Sequence, residues 1–357
     1  MSSAHCRKSL GLAVLAAMLA APVASSAETP LRMAVVSRTV FYLPAWTAEK
    51  QGFFKAEGID VQMKVYDTSE QIFEDLRTGA QHIALASTES VIADAYKGGR
   101  LKIIGGNAQR PPHFIIVQPE IKSLADLKGK LMGVVSMHEG TTFFVPDIAK
   151  KAGLGTKDIR IEAVGGSPTR ARLLRERKID AGMQPYPLSY EAEAQGLGNL
   201  GPVADIVPDY QFTAIIVDEG WAQANRAVLV GFMRALKQGT EYMFAHPDEA
   251  AEVGAKELRT STAFARRALD DTARMDILAR DLTLSDRSLR RVFDNLRAAD
   301  LVPRDAEYDR ARFSEDSFLK AIANSGTRGV ARASRRLAIR TQSGSRSTQK
   351  PTPCTCG

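Results

Sequence analysis

The 357-residue chain carries a formal net charge of +7, and that excess lies at its two ends. Arg7 and Lys8 stand near the start and Arg328, Arg332, Arg335, Arg336, Arg340, Arg346 and Lys350 follow residue 326, so residues 28–326 are close to neutral and offer no basic face for nucleic acid. Cys6, Cys354 and Cys356 also fall outside that body, which excludes a disulfide framework and leaves packing to stabilise a stretch long enough for two cores.

Arg7 and Lys8 precede the apolar run Leu10 to Ala21, and Ser25-Ser26-Ala27 follows with the small residues a signal peptidase inspects. This predicts a secretory signal cleaved after Ala27. Gly11 and Pro22 interrupt the run, which falls short of the roughly 20 apolar residues of a membrane span. Cys6 lies before it and cannot serve as a lipoprotein acylation site. From there strand and helix patterns alternate: strands near 31–36, 59–65, 82–86 and 101–105, with helices near 44–51, 68–78 and 88–97. A second set follows, with strands near 131–135, 159–164 and 179–183 and helices near 139–152, 168–176 and 186–195. Each set predicts a parallel sheet, and two sheets imply a cleft. His113-Phe114-Ile115-Ile116-Val117 and Phe212-Thr213-Ala214-Ile215-Ile216-Val217 are expected to be extended hinge strands that carry the chain out and back. After Asp218 the pattern is helical: Val228, Leu229, Phe232, Met233, Leu236, Met243 and Phe244 recur at helix spacing, and Pro247 opens another helix. Residues 327–357, poor in large apolar groups, are expected to be a disordered basic tail. Within it Cys354-Thr355-Cys356 lacks CxxC spacing and further ligands.

The segment Leu43-Pro44-Ala45-Trp46-Thr47-Ala48-Glu49-Lys50-Gln51-Gly52-Phe53-Phe54-Lys55-Ala56-Glu57-Gly58-Ile59-Asp60-Val61 resembles the opening signature of the periplasmic substrate-binding proteins of alkanesulfonate, taurine, nitrate and thiamine-pyrimidine ABC importers. The resemblance continues through Ile83 to Ser87, Gln109 to Pro112, Ile121 to Lys130, Val164 to Pro168, Lys178 to Ala181 and Val207 to Gln211, and so covers roughly residues 31–325. It implies an α/β, two-lobed periplasmic binding protein in which each lobe is a mainly parallel sheet flanked by helices, the lobes being joined by two hinge strands. Lobe 1 would comprise residues 28–114 and 215–326, with the late helices packed on it, and lobe 2 residues 115–214. The implied function is a periplasmic, monomeric solute-binding component of an ABC importer. It would capture a small organic solute (sulfonate-, aromatic- or pyrimidine-like) by hinge closure and deliver it to a permease at the inner membrane, with no cofactor and no nucleic acid. The same lobes resemble the fungal pyrimidine synthase of thiamine biosynthesis, an enzymatic alternative. That enzyme depends on a cysteine-rich segment and histidine chemistry, whereas residues 28–326 hold no cysteine. A ligand-sensing module is a third reading, without a visible DNA-binding or transmembrane segment.

Four strand-to-helix junctions carry small polar residues: Asp67 to Glu70, Ser87 to Ser90, Ser136 to Thr142 and Gly165 to Pro168. Thr68, Ser87 and Ser167 read as N-caps, with Pro168 at the first helical position. Helix starts also present unpaired N–H groups suited to polar or anionic ligand groups. By resemblance, Thr141, Thr142 and Ser167 face the ligand from lobe 2, and the loop Arg38 to Leu43 with Thr88 faces it from lobe 1. Ser69 and His138 share such junctions. Arg38 and Arg110 are the cationic candidates for a carboxylate or sulfonate; Asp67, Glu70, Glu89 and Glu139 either complement helix dipoles or, facing the cleft, disfavour a strongly anionic ligand, so the sequence leaves the sign of the ligand's charge open. Tyr42, Tyr186 and Tyr210, at turns, are candidates for flat apolar walls, and Trp46 reads as core. The histidines show no metal spacing, and no nucleophile elbow or phosphate-loop fingerprint appears.

Overall fold

The computed structural model describes residues 28–66, 69–138 and 140–323. The expected signal, the expected tail and the acids Asp67 and Glu139, with Thr68, lie outside the described residues. β1 (Thr29–Val36) runs through a 3-10 turn into α1 (Leu43–Lys50) and α2 (Phe53–Ala56); β2 (Ile59–Tyr66), α3 (Ser69–Thr78), β3 (Ile83–Ser87), α4 (Thr88–Tyr96) and β4 (Leu101–Gly106) follow. Ile83 to Ser87 are buried throughout, the pattern of a strand covered on both faces. The second half contains β5 (His113–Val117), β6 (Leu131–Val134), a 3-10 turn Gly140–Phe144 leading into α5 (Val145–Lys151), β7 (Arg160–Ala163), α6 (Ser167–Arg175), β8 (Ala181–Pro185), α7 (Leu188–Ala194) and β9 (Gly198–Pro202). The chain closes with β10 (Thr213–Asp218), α8 (Glu219–Ala224), α9 (Arg226–Ala245), α10 (Pro247–Glu257), α11 (Thr262–Arg274) and α12 (Asp286–Ala298).

Two five-stranded sheets result, in the orders β2-β1-β3-β10-β4 and β7-β6-β8-β5-β9. The two expected hinge strands are each built into one sheet. His113–Val117 is β5, antiparallel to both β8 and β9, and β10 is antiparallel to both β3 and β4. The physical reason is backbone satisfaction: β5 is buried along its whole length, so its N–H and C=O groups need ladder partners on both edges. The chain instead crosses at residues 107–112 and 203–212. Asn107 braces the first crossing, donating to the Phe41 carbonyl and the Thr213 hydroxyl, both at 3.0 Å. Each sheet is therefore mixed: its parallel strands are interrupted by one antiparallel strand. β9 was not expected, because Gly198-Asn199-Leu200-Gly201-Pro202 has almost no strand-favouring residues; pairing with β5 imposes its extended form.

The late helices clothe the first sheet, as expected. Phe54 of α2 stacks on Phe232 of α9 with ring centroids 5.3 Å apart, and Glu57 accepts two bonds from the Arg234 guanidinium at 2.9 and 2.5 Å. Full burial of a side chain such as Phe232 contributes about 1.5–3 kcal/mol. On the other flank Phe293 of α12 meets Tyr96 of α4 at 5.2 Å. The same helices also reach the second lobe. Tyr190 donates to Asp271 at 2.6 Å, Thr260 to Glu191 at 2.7 Å and Arg291 to Asp147 at 2.5 Å.

The crossing of α1 and α9 is close because Gly239 has no side chain: a Cβ there would lie 2.5 Å from the Pro44 carbonyl oxygen and 2.7 Å from Ala48 Cβ. Alanine raises helix propensity by about 1 kcal/mol, but overpacking against backbone costs about 1–3 kcal/mol. Gly239→Ala is expected to lower the urea midpoint without changing the slope, a net loss of up to about 2 kcal/mol. A raised midpoint would refute this crossing.

Candidate functional site

Between the two sheets lies a cavity of about 700 Å³. The first lobe supplies Ser37 and Arg38 beyond β1, Phe41 and Tyr42 from the following turn, Ser69 at the start of α3 and Ser87 at the end of β3. From the second lobe come Gly140 and Thr141, the α6 start from Gly165 to Arg170, and Leu188 and Glu191 of α7. His113, Phe212 and Thr213 form the wall at the crossings, and Leu258 and Arg259 close it behind α10. The carboxyl ends of parallel strands from both sheets thus face one space, the usual place for a ligand in an open α/β sheet.

The α6 start is the most polar wall. Gly165 takes φ +93°, a left-handed conformation that a side chain would strain, and Gly166 caps α6 without a side chain of its own. Arg170 follows in the first turn and is 2% exposed. Its Nη1 donates to the Gly165 carbonyl at 2.7 Å, its Nη2 to Ser167 Oγ at 3.0 Å and to the Met183 carbonyl at 3.1 Å, and its Nε to that same carbonyl at 3.3 Å. Every one of these acceptors is neutral. Burial alone pushes the guanidinium down to about 10.

His113, 3% exposed, lines the same cavity, and its Nδ1 has no hydrogen-bond partner. Burial, followed by the charge of Arg170, holds the imidazole well below its ordinary pKa. The ring meets Phe212 edge-on at 4.9 Å, and Phe212 in turn meets Phe41 edge-on at 5.8 Å. Opposite, Glu89 of α4 is fully buried and accepts from Tyr210 Oη at 2.8 Å and from the Gly140 amide at 3.2 Å. One carboxylate therefore joins α4 to the second lobe at the edge of the cavity.

Residues 41–250 match the family described as NMT1/THI5 like. The chain belongs to that family. Over 219 residues it is 24% identical to a putative binding protein of Brucella abortus, covering 60% of this chain and 67% of that one. A 4-amino-5-hydroxymethyl-2-methylpyrimidine phosphate synthase of Uromyces fabae is 26% identical over 58% of this chain and 65% of its own. A formylaminopyrimidine-binding protein of Halalkalibacterium halodurans is 23% identical over 58% and 64%. Among solved structures, the ligand-binding component of an ABC-type import system from Staphylococcus aureus superposes with a TM-score of 0.71 at 12% identity, covering 82% of this chain and 98% of that one. The periplasmic aliphatic sulphonate binding protein of Escherichia coli does so with a TM-score of 0.64 at 17% identity, over 80% and 96%. These likenesses establish the two-lobed α/β periplasmic-binding-protein fold.

Within this NMT1/THI5-like chain, five of the sequence candidates line the cavity: Arg38, Tyr42, Ser69, Thr141 and Ser167. At least three of the five already serve the protein, Ser167 Oγ accepting from Arg170 at 3.0 Å. Arg38 is held by the Glu257 carbonyl at 2.8 Å and its carboxylate at 3.3 Å, and Thr141 Oγ1 accepts from the Val135 amide at 3.2 Å. The other six candidates lie elsewhere. Thr88 is fully buried and donates to the Gln211 carbonyl. Thr142 donates to the Ser136 carbonyl. Arg110 sits on the first crossing and reaches the Met275 carbonyl at 3.4 Å. His138 is exposed beside Ser136. Tyr186 and Tyr210 are core: Tyr186 stacks on Tyr190 at 5.9 Å, and Tyr210 meets Phe144 edge-on at 4.8 Å.

Arg170 and His113 were missed as site residues. Arg170 did leave a trace in the sequence, since a cation in the first turn of a helix opposes the dipole and calls for a reason; His113 left none. Among the described residues no group of three or more metal-ligating side chains converges, and no helix is long and apolar enough to cross a membrane.

Because His113 stays neutral well below pH 6.5 in the folded protein, protonation of the unfolded chain below that pH favours unfolding. Stability therefore falls as pH drops from 6.5 towards the lowered value, by up to about 1.4 kcal/mol per pH unit, and is insensitive to this group above it. His82, lowered in the same direction, is common to any His113 variant and cancels. Urea titrations from about pH 7 to about pH 5 are expected to show His113→Gln losing about 1–2 kcal/mol less than the unaltered protein. Equal losses would contradict a buried neutral imidazole.

Proposed function

We propose that this protein is the exported, periplasmic solute-binding component of an ABC importer, acting as a monomer that closes on a small organic molecule and hands it unchanged to a membrane permease. The carrying observation is the cavity between the lobes, walled by strand ends and helix starts from both and bridged by Glu89. A volume of about 700 Å³ lies within the range of roughly 300–1,000 Å³ usual for small-molecule sites. The printed names of the Brucella, Halalkalibacterium, Staphylococcus and Escherichia proteins point the same way. We assign residues 28–114 and 215–326 to the first lobe, residues 115–214 to the second, and ligand contact to Arg38, Tyr42, Ser69, Thr141 and Ser167.

A second reading has one specific observation in its favour, the similarity to the Uromyces synthase at an identity comparable to that of the binding proteins. Capture and catalysis separate in one experiment. Native mass spectrometry of protein purified without refolding is expected to show a bound small organic molecule, and adding that molecule back to emptied protein is expected to raise the melting temperature by several degrees. Recovery of the same mass after prolonged incubation supports capture. Its conversion to another mass would establish an enzyme, and an empty cavity with no stabilising compound among sulfonates, pyrimidines and aromatic acids would reject both.

A further inference from the structure

We propose that Arg170 and His113 form an oxyanion anchor, and that the solute is a small aromatic acid whose carboxylate or sulfonate meets this pair while its ring lies against Phe41, Tyr42 and Phe212. The inference rests on the solute-trap reading above and specifies what the trap holds.

Two facts place unanswered positive potential at this wall, and a third leaves a buried polar atom beside it without a partner. A guanidinium has five N–H donors, and the four bonds made by Arg170 all end on neutral oxygens. One Nη1 hydrogen is left over, and no described carboxylate lies within ion-pair reach. Buried charges are ordinarily paired, because leaving one unpaired costs several kcal/mol. Arg170 also occupies the first turn of α6, where the helix dipole is itself positive. His113 adds an almost wholly buried Nδ1 without a partner. The two side chains share one scaffold: His113 pairs in register with Pro185 of β8, and Arg170 is fastened to the Met183 carbonyl two residues earlier on that strand. Burial first, and the charge of Arg170 after it, hold the imidazole pKa down. An oxyanion between them would accept from the remaining Nη1–H and from His113, and would answer the charge.

The other half of the solute follows from the neighbouring wall. Phe212 touches both His113 and Phe41 edge-on, and Phe41 packs against Tyr42 at 4.5 Å, so an aromatic wall begins where the anchor ends. Aromatic rings favour stacked or edge-on contact with such a wall. Among the described lining residues, with the charge of Arg38 answered by Glu257, Arg170 and Arg259 stand against the single acid Glu191, which disfavours a cation.

Calorimetry on the full protein emptied of solute tests this with benzoate, 4-hydroxybenzoate, 2-naphthoate and benzenesulfonate, each against its neutral amide, with acetate and benzylamine as controls. At least one aromatic acid is expected to bind about tenfold or more tightly than its amide, acetate and benzylamine. The carboxylate and sulfonate arms decide between the two head groups. Arg170→Gln is expected to weaken the acid about tenfold or more while changing amide affinity less than twofold. If that variant does not fold, the acid-to-amide ratio on the unaltered protein and its fall in His113→Gln carry the test. Amide or amine binding as tight as the acid, or a neutral solute found in the purified protein, overturns the anchor and leaves the solute trap standing. No small molecule bound at all, in the purified protein or by titration, overturns the trap itself.

Discussion

Neither sheet is complete until the chain has crossed between the lobes. β5 occupies the gap between β8 and β9, and β10 the gap between β3 and β4. Remove either antiparallel strand and its two neighbours each lose a ladder of backbone bonds, a penalty greatest for the buried β3, β4 and β8. The crossings are therefore dictated by pairing inside the lobes, and the cleft is what remains where the two sheets face each other. This explains why the crossing residues Asn107, His113, Phe212 and Thr213 are among the most buried in the protein, although connections normally run over the surface.

Burial of the crossings makes the cleft wall electrostatically sensitive. Water cannot screen Arg170 or His113 from within the protein, so each depends on fixed partners or on whatever enters the cavity. Arg170 has chosen backbone carbonyls, which orient its guanidinium without neutralising it. Arg38 shows the contrast: half-buried and beside the same cavity, it has Glu257 for a partner, and its charge is answered inside the protein. The difference lies not in the residue type but in what the neighbouring element brings.

That difference also marks the boundary of what the sequence discloses. Alternation of apolar periods placed the strands and helices of both sets within a few residues, because period and turn chemistry are local. The β-branched runs at His113 and Phe212 were correctly extended, yet which edge they pair with depends on strands far off in the chain, as the pairing of Val217 with Ile83 shows. β9 was invisible for the converse reason, its extended form coming wholly from its neighbour. At the site, Arg38 had a suitable side chain in a suitable loop, but its partner stands 219 positions downstream. Tyr186 and Tyr210 sit at turns in the chain and in the core in space, a distinction no local pattern carries. Arg170 was legible only as an anomaly, a cation at the wrong end of a helix.

Polar contacts between the lobes flank the cavity. On one side of the cavity Glu89 accepts from Tyr210 and Gly140, and on the other Tyr190 and Glu191 of α7 meet Asp271 and Thr260. Hydrogen bonds of this kind contribute about 0.5–1.5 kcal/mol each when neutral and about 1.5–3 kcal/mol when one partner is charged, far less than separate unfolding of a lobe would require. Opening along the cleft therefore exchanges these bonds for water while leaving both sheets intact. A molecule that touches the helix starts of both lobes adds its contacts only to the shut form, and by that differential it shifts the population towards closure. On the solute-trap reading, capture and closure are one equilibrium, set by the polar rim and biased by whatever satisfies the wall behind it.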